Sequence, residues 1–298
     1  VVGDNFHPAR SGTGLLYSRE HFKQIRERLA PGGLYCQWLP LHQMDLASLA
    51  SVNYRGRFFR DELLTALTIL DKGLAPPEGL RGSWAGAMGQ TQFMPSSFMA
   101  WAVDQDGDGR RNIWTSIPDS LGSTANFLKG HGWVRGLPWG VEITLPAHYP
   151  FKLIQGDFSA FAKAGVKRAD GRPLPAHGQA RLFFPSNARG PVFLVTANFD
   201  VIRQYNASDA YALAVAHLGD RIKGGKSFVA AWPVSEPQLD QDGRIELQKR
   251  LAAKGYDVGE ADGRIGSKTR AAIRQEQSKH NLVPDGWPSP AILTLLRQ

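Results

Sequence analysis

Residues 104–112 read Asp-Gln-Asp-Gly-Asp-Gly-Arg-Arg-Asn. Acids at loop positions 1, 3 and 5, followed by glycine at 6, match the calcium loop of an EF-hand. Three carboxylates this close repel one another unless a cation sits among them, and the glycine permits the sharp turn. Asp104, Asp106 and Asp108 would ligate through side chains, and Arg110 through its backbone carbonyl. The closing position, a bidentate Glu in a full EF-hand, is Thr115, and Asp119 lies four residues further on, where it could close an enlarged loop. The pattern therefore predicts a structural Ca2+ site of modest affinity. The same residues would also serve as a solvated Asp/Gly turn.

A second dense stretch runs Ser83-Trp84-Ala85-Gly86-Ala87-Met88-Gly89-Gln90-Thr91-Gln92-Phe93-Met94-Pro95-Ser96-Ser97. Its small residues let backbone approach closely, to a neighbouring helix or to a ligand. Gln92 would place an amide among Met88, Phe93 and Met94. A buried amide needs partners, which a sugar N-acetyl group or a tightly packed helix pair would supply. Further on, Tyr205-Asn206-Ala207-Ser208-Asp209-Ala210-Tyr211 offers two phenols and an amide, suited to a polar cleft or to an ordinary helix start. Five of the eight tryptophans fall between Trp84 and Trp139. Such rings stack on sugars or fill a core. The histidines are scattered, without metal-ligand spacing, and no Ser/His/Asp elbow or phosphate loop is visible.

The elements that must position these residues fall into three segments. From Val1 to about Leu46, Ser18 can cap a helix through Arg28, and Leu34 to Leu39 reads as a buried strand, together a piece of an α/β unit. From about Ala47 to Ala230 the reading is α+β, mostly helical. Phe58–Asp71 forms a helix with Leu63, Leu64, Leu67 and Leu70 as its apolar stripe, strands are expected at Val141–Leu145, Arg181–Phe184 and Val192–Thr196, and a last helix at Ser208–Lys223. Ala231 to Asp240, with two prolines, is a linker. Residues 241–298 predict a three-helix module: Ile245–Lys254, a helix capped by Ser267, and one begun by Ser289-Pro290.

Bulk properties narrow the function. The net charge is +8, which favours anionic partners. Lys+Arg exceed Asp+Glu by 5 to 4 over residues 1–50, 20 to 16 over 51–240 and 10 to 7 over 241–298, so no arm or face concentrates the charge as nucleic-acid binders do. Cys36 is the lone cysteine, which excludes a disulfide framework or Cys-based zinc site within the chain. Every apolar run is interrupted, so no membrane span is expected. The chain opens at Val1-Val2 without an initiator Met or an export signal, as a fragment, a processed product or a misjoined reading frame would.

At these residues the chain resembles the lytic murein transglycosylase B family, over about 47–230. The match rests on Phe59-Arg60-Asp61-Glu62-Leu63, the Ser83–Ser97 block, the Asp104–Asp119 loop with Ile113-Trp114, Ser123 to Phe127, His131-Gly132-Trp133, Asn198-Phe199, and Tyr205-Asn206 with Tyr211. The resemblance implies a lysozyme-like fold, a glycan cleft including Ser83, Gln92, Tyr205, Asn206 and Tyr211, and a calcium loop ligated by Asp104, Asp106, Asp108, Arg110 and Asp119. The tail, 241–298, resembles the peptidoglycan-binding type 1 domain through Leu247-Gln248, Leu251, Gly255-Tyr256, Asp262-Gly263, Ala272-Ile273 and Asp285-Gly286. That family usually has an aromatic before Gln277. Here it is Glu276, a charge expected to weaken the module's core or groove. Residues 1–46 resemble the C-terminal part of the spermidine-synthase-like family, with Asp4 at its catalytic aspartate and the nucleotide-binding half missing.

The transglycosylase resemblance implies a single glutamic acid that protonates the glycosidic oxygen between MurNAc and GlcNAc. It then takes a proton from the sugar's own 6-hydroxyl, giving a 1,6-anhydro product. Such an acid needs an apolar pocket to stay protonated. The family places it just before the stretch matching Leu46–Val52, where this chain carries the foreign segment. Glu27 and Glu62 are the weak substitutes. Three readings follow: a wall-binding family member without its acid, an active transglycosylase with a substitute carboxylate, and an aminopropyl-transferase-like enzyme. The first is favoured, with peptidoglycan glycan strands as partner, a monomeric state, and a periplasmic or cell-wall location as the family implies.

Overall fold

A computed structural model of the chain describes residues 55–75, 80, 82–83, 85–233 and 235–298, together with Leu46 and Leu49. The expected Ser18–Arg28 helix, the Leu34–Leu39 strand, Asp4, Glu27 and Trp84 lie outside the described residues. By its internal contacts the chain divides after Gly130 into two compact units.

The first unit holds α1 (Phe58–Asp71), α2 (Pro95–Trp101) and α3 (Ile117–Gly130). Helix α1 spans the expected residues but buries a different face. Phe59, Glu62, Ala66 and Ile69 point inward, while Leu64 and Leu67 are 53% and 52% exposed. The leucine stripe misleads because a glutamate interrupts the true inward face, so the apolar pattern is stronger on the wrong side. Pro95 at the first helical position starts α2. The core gathers Phe93, Phe98, Ile113 and Phe127, with Trp101 edge-on to Phe127. Gly130 ends α3 against Trp101, whose ring lies 1.9 Å from where a Cβ would stand.

The second unit carries a five-stranded antiparallel sheet in the order β2-β4-β5-β1-β3, built from β1 (Gly140–Thr144), β2 (Gln155–Asp157), β3 (Lys167–Arg168), β4 (Gln179–Phe183) and β5 (Val192–Val195). Central β5 is buried on both faces. Val192 and Leu194 join one cluster with Phe158 of α4 (Phe158–Lys163), while Phe193 and Val195 join the other with Phe199 and Leu213. Those last two lie on α5 (Ala197–Tyr205) and α6 (Asp209–Ile222). Buried Asn198 fastens the preceding loop: it accepts from Val134 N and donates to the Val134 and Leu137 carbonyls at 2.9 and 2.7 Å. Strands β2 and β3 and helices α4 and α5 are additions to the sequence expectation.

Helices α7 (Gln241–Ala253), α8 (Ser267–Lys279) and α9 (Pro290–Arg297) complete this unit around Leu247, Leu251, Ile273 and Ile292. Ser289 caps α9 as expected, accepting from Ile292 N. Ser267 does not cap α8: it is the first helical residue, and Gly266 occupies the cap without a side-chain bond. Glu276 is 1% exposed. Its carboxylate accepts from the Tyr256 hydroxyl and from Lys279 and Lys254, so the charge expected to weaken the core or groove is partnered where it is buried.

Candidate functional site

In the first unit, a tight turn orders Ser83. Its N–H donates to the Ala87 carbonyl at 2.8 Å, and its hydroxyl accepts from Ala87 N at 3.1 Å. Isolated bridges link Gly82 to Met88 and Met88 to Phe93, so that the described residues between 82 and 93 form a compact strap. Gly89 sits at φ +64°, with the Ile113 carbonyl 2.6 Å from where a Cβ would stand. Gln92 is held at φ 53°, a left-handed conformation uncommon for a residue with a side chain. Its amide donates to the Gly89 carbonyl at 2.9 Å rather than pointing wholly into the apolar residues beside it. Ser83 and Gln92 are thus fixed on one strap by backbone geometry.

Glu62 is 4% exposed and faces the start of α2. One oxygen accepts the Ser96 hydroxyl at 2.6 Å and the other accepts the Ser96 N–H at 2.9 Å. The carboxylate therefore satisfies a free donor of the helix N-terminus from a distant helix. Sequence spacing offers no sign of this partnership, because 34 residues separate the two.

The acidic loop closes on itself. One ligand oxygen from each of Asp104, Asp106, Asp108 and Asp119 lies within 4.8 Å of the others. Oxygens on opposite sides of a calcium ion stand roughly 4.8 Å apart, so the four fit one coordination sphere. Asp119, in the first turn of α3, is fully buried. Burial alone would push its carboxyl up. The N–H groups of Gln105, Asn112 and Asp106, with the Ser116 hydroxyl, outweigh that and hold it below the ordinary carboxylate range. The Thr115 hydroxyl accepts from the Asn112 side chain at 2.6 Å. Hard carboxylate oxygens around a glycine turn are the donor set calcium prefers.

In the second unit, Tyr205, Asn206 and Tyr211 flank the junction of α5 and α6. Asn206 ends α5, and its side-chain oxygen accepts from Ser208 N at 3.0 Å. Ser208 in turn caps α6 through Tyr211 N. An Arg203–Asp209 ion pair of 2.7 Å bridges the junction. Tyr211 is half-buried, and burial pushes its phenol up from the ordinary value. Of the expected aromatic set, Trp139 is buried against Phe193 and Phe199, while Trp133 is 38% exposed.

The family described as Transglycosylase SLT domain matches residues 43–220, and the peptidoglycan binding domain family matches residues 240–296. Among curated proteins, membrane-bound lytic murein transglycosylase B of Escherichia coli (strain K12) is 38% identical over 187 residues, covering 60% of this chain. The chain spans about half the length of that relative (50%). Among solved structures, SltB3 from Pseudomonas aeruginosa in complex with NAG-anhNAM-pentapeptide is 48% identical with a TM-score of 0.77, covering 85% of this chain and 70% of that one. Catenated SltB1 from the same organism is 34% identical with a TM-score of 0.50, covering 60% and 61%.

Proposed function

The chain belongs to the Transglycosylase SLT domain family, and from that premise we propose that it binds peptidoglycan glycan strands without turning them over. The observation that carries the second half is the engagement of Glu62. It is the one glutamate of the family-matched helix α1, and both its oxygens are held by Ser96. A general acid must present its proton to a substrate oxygen within hydrogen-bond reach. A carboxyl group with both oxygens taken up by Ser96 at a helix start, and walled in by burial, does not do so. Glu27, the other substitute, lies outside the described residues.

The first half rests on the retained binding surfaces. Ser83 and Gln92 on their strap, and Tyr205, Asn206 and Tyr211 at the α5–α6 junction, supply hydroxyl and amide groups for sugar hydroxyls and N-acetyl groups. The wall-binding module has an unbroken apolar centre. The Asp104, Asp106, Asp108 and Asp119 cluster would hold Ca2+, with the Arg110 carbonyl as a fifth ligand, and would brace the start of α3 rather than take part in chemistry. A periplasmic or wall-associated location follows from the same substrate.

The test is release of muropeptides from purified peptidoglycan, read by mass spectrometry, beside sedimentation of the protein with insoluble wall. Wall binding without 1,6-anhydro products is the expected result. Anhydro products that persist in Glu62→Gln would assign the chemistry to another carboxylate, and products that vanish in it would overturn the structural role given to Glu62. Failure to sediment with the wall would remove the binding half.

A further inference from the structure

Within residues 131–298 a cavity of about 670 Å³ opens between the sheet, the α5–α6 junction and α8. That size is typical of a small-ligand site. Arg181, Arg203, Arg270 and Arg274 line it, against two carboxylates, Asp200 and Asp209. Both acids are engaged: Asp200 lies 2.7 Å from Arg181 and 3.6 Å from Arg203, and Asp209 lies 2.7 Å from Arg203. Arg270 and Arg274, one turn apart on α8, are left over. Among the described residues neither guanidinium has a hydrogen bond or a carboxylate partner, and Arg270 only lies over the Trp287 ring at 5.7 Å. Asp209 and Asp285 act on both electrostatically, yet Asp209 is bonded to Arg203, and the Asp285 oxygens accept from Gln277, Trp287 N and Ala188 N. Burial holds both guanidinium groups below their ordinary value, and for Arg274 the charges of Arg270 and Arg181 push the same way.

Two half-buried like charges on one helix face repel each other, and among the described residues no carboxylate is hydrogen-bonded to either. An anion between them would offset the repulsion, and the guanidinium fork matches a carboxylate two bonds at a time. The remaining walls choose among anions. Phe151, Ile154 and Pro284 are apolar, and Asp200 and Asp209 disfavour a dianionic phosphate while suiting a group that carries N–H or ammonium donors. We infer that this cavity binds a zwitterionic peptide through its free carboxylate, held by Arg270 and Arg274. This rests on the wall-binding reading, since it assigns the peptide part of peptidoglycan to a cavity that borders the α5–α6 junction but is not lined by Tyr205, Asn206 or Tyr211.

The experiment is calorimetric titration of the full chain with a synthetic wall stem pentapeptide, its C-terminal amide, and inorganic phosphate. The free acid should bind at least about tenfold more tightly than the amide or phosphate, and Arg270→Gln/Arg274→Gln should lose about that factor. The double variant should fold with an unchanged or raised thermal midpoint, because it removes a repulsion. Arg274→Gln alone, which keeps the Arg270–Trp287 contact, replaces it if the double variant misfolds. Equal binding of acid and amide, tighter binding of phosphate, or variants that bind like the parent each overturn the assignment. Sedimentation with insoluble wall, run in parallel, separates the two proposals. Wall retention with no peptide preference sinks the cavity alone, whereas lost retention sinks the wall reading while the titration still judges the cavity.

Discussion

Glu276 makes the wall-binding module sensitive to acid. Burial by itself would push its carboxyl up, but the Tyr256 hydroxyl and the ammonium groups of Lys279 and Lys254 overcome this and hold it down to about 2. A group depressed in the folded state stabilises fully above its unfolded value, ordinarily near 4.5, and loses that contribution as pH falls toward about 2. The span between the two corresponds to about 3 kcal/mol at most. Lys254 and Lys279 are 41% and 63% exposed, so solvent screens them. About 2 kcal/mol is then the working figure. Roughly 60% of it should be gone by pH 3. The assay is urea unfolding of the full chain at pH 6 and pH 3, with the α7 and α8 peptides followed by hydrogen-exchange mass spectrometry. Glu276→Gln serves as the reference, because it cannot titrate. The parent should lose about 1 kcal/mol more than Glu276→Gln between the two pH values. Equal losses in both proteins would refute the reasoning and relocate the acid sensitivity to other carboxylates.

Other perturbations have equally definite expected outcomes. Glu62→Ala strands the Ser96 N–H and hydroxyl at the start of α2 and should cost about 2–3 kcal/mol in denaturant unfolding, with wall sedimentation at saturating protein unchanged. Adding Ca2+ at about 100 times its dissociation constant should stabilise the chain by about 2.7 kcal/mol in thermal melts, and Asp119→Asn should abolish the increment. An increment that survives in Asp119→Asn would place the ion elsewhere. Gly130→Ala drives a methyl into Trp101 and should destabilise by about 1–3 kcal/mol, visible as a shift of the denaturant midpoint.

The α1 limits, the α9 cap and the three longer strands were legible because caps, prolines and β-branched runs are local signals. The inward face of α1 was not, since Glu62 stands where periodicity asks for an apolar residue, and only Ser96, far along the chain, explains it. Strands β2 and β3 are too short, at 3 and 2 residues, to carry an alternation. Helix α5 was hidden for another reason: its sequence Ala-Asn-Phe-Asp-Val-Ile-Arg-Gln-Tyr mixes polar and β-branched residues, and Thr196 alone marks its start. The acidic loop announced itself by spacing, and Asp119 joins it through backbone N–H groups that no spacing reveals. The meaning of Glu276 was likewise invisible, because a charge in a core position reads as a defect until Tyr256, Lys254 and Lys279 are seen around it.

Sequence handwriting and physical contact also divide the chain differently. The transglycosylase family match runs across Gly130 without a break, yet the contacts separate the chain there and unite the sheet with α7, α8 and α9. The bonds responsible are specific. Ala188 N donates to Asp285 at 2.9 Å, and Arg189 pairs with Glu236 at 2.7 Å. Asp285 at the same time accepts from Gln277 and Trp287 N inside the three-helix module. One buried carboxylate thus ties the module's own α8 and following turn to the loop before β5. Between the sheet and α7, Trp232 lies edge-on to Phe228 and Glu236 pairs with Arg189. The cavity described above draws Arg270 and Arg274 from α8 and Arg181 and Arg203 from the sheet and α5, so its lining depends on both parts of the unit being held together.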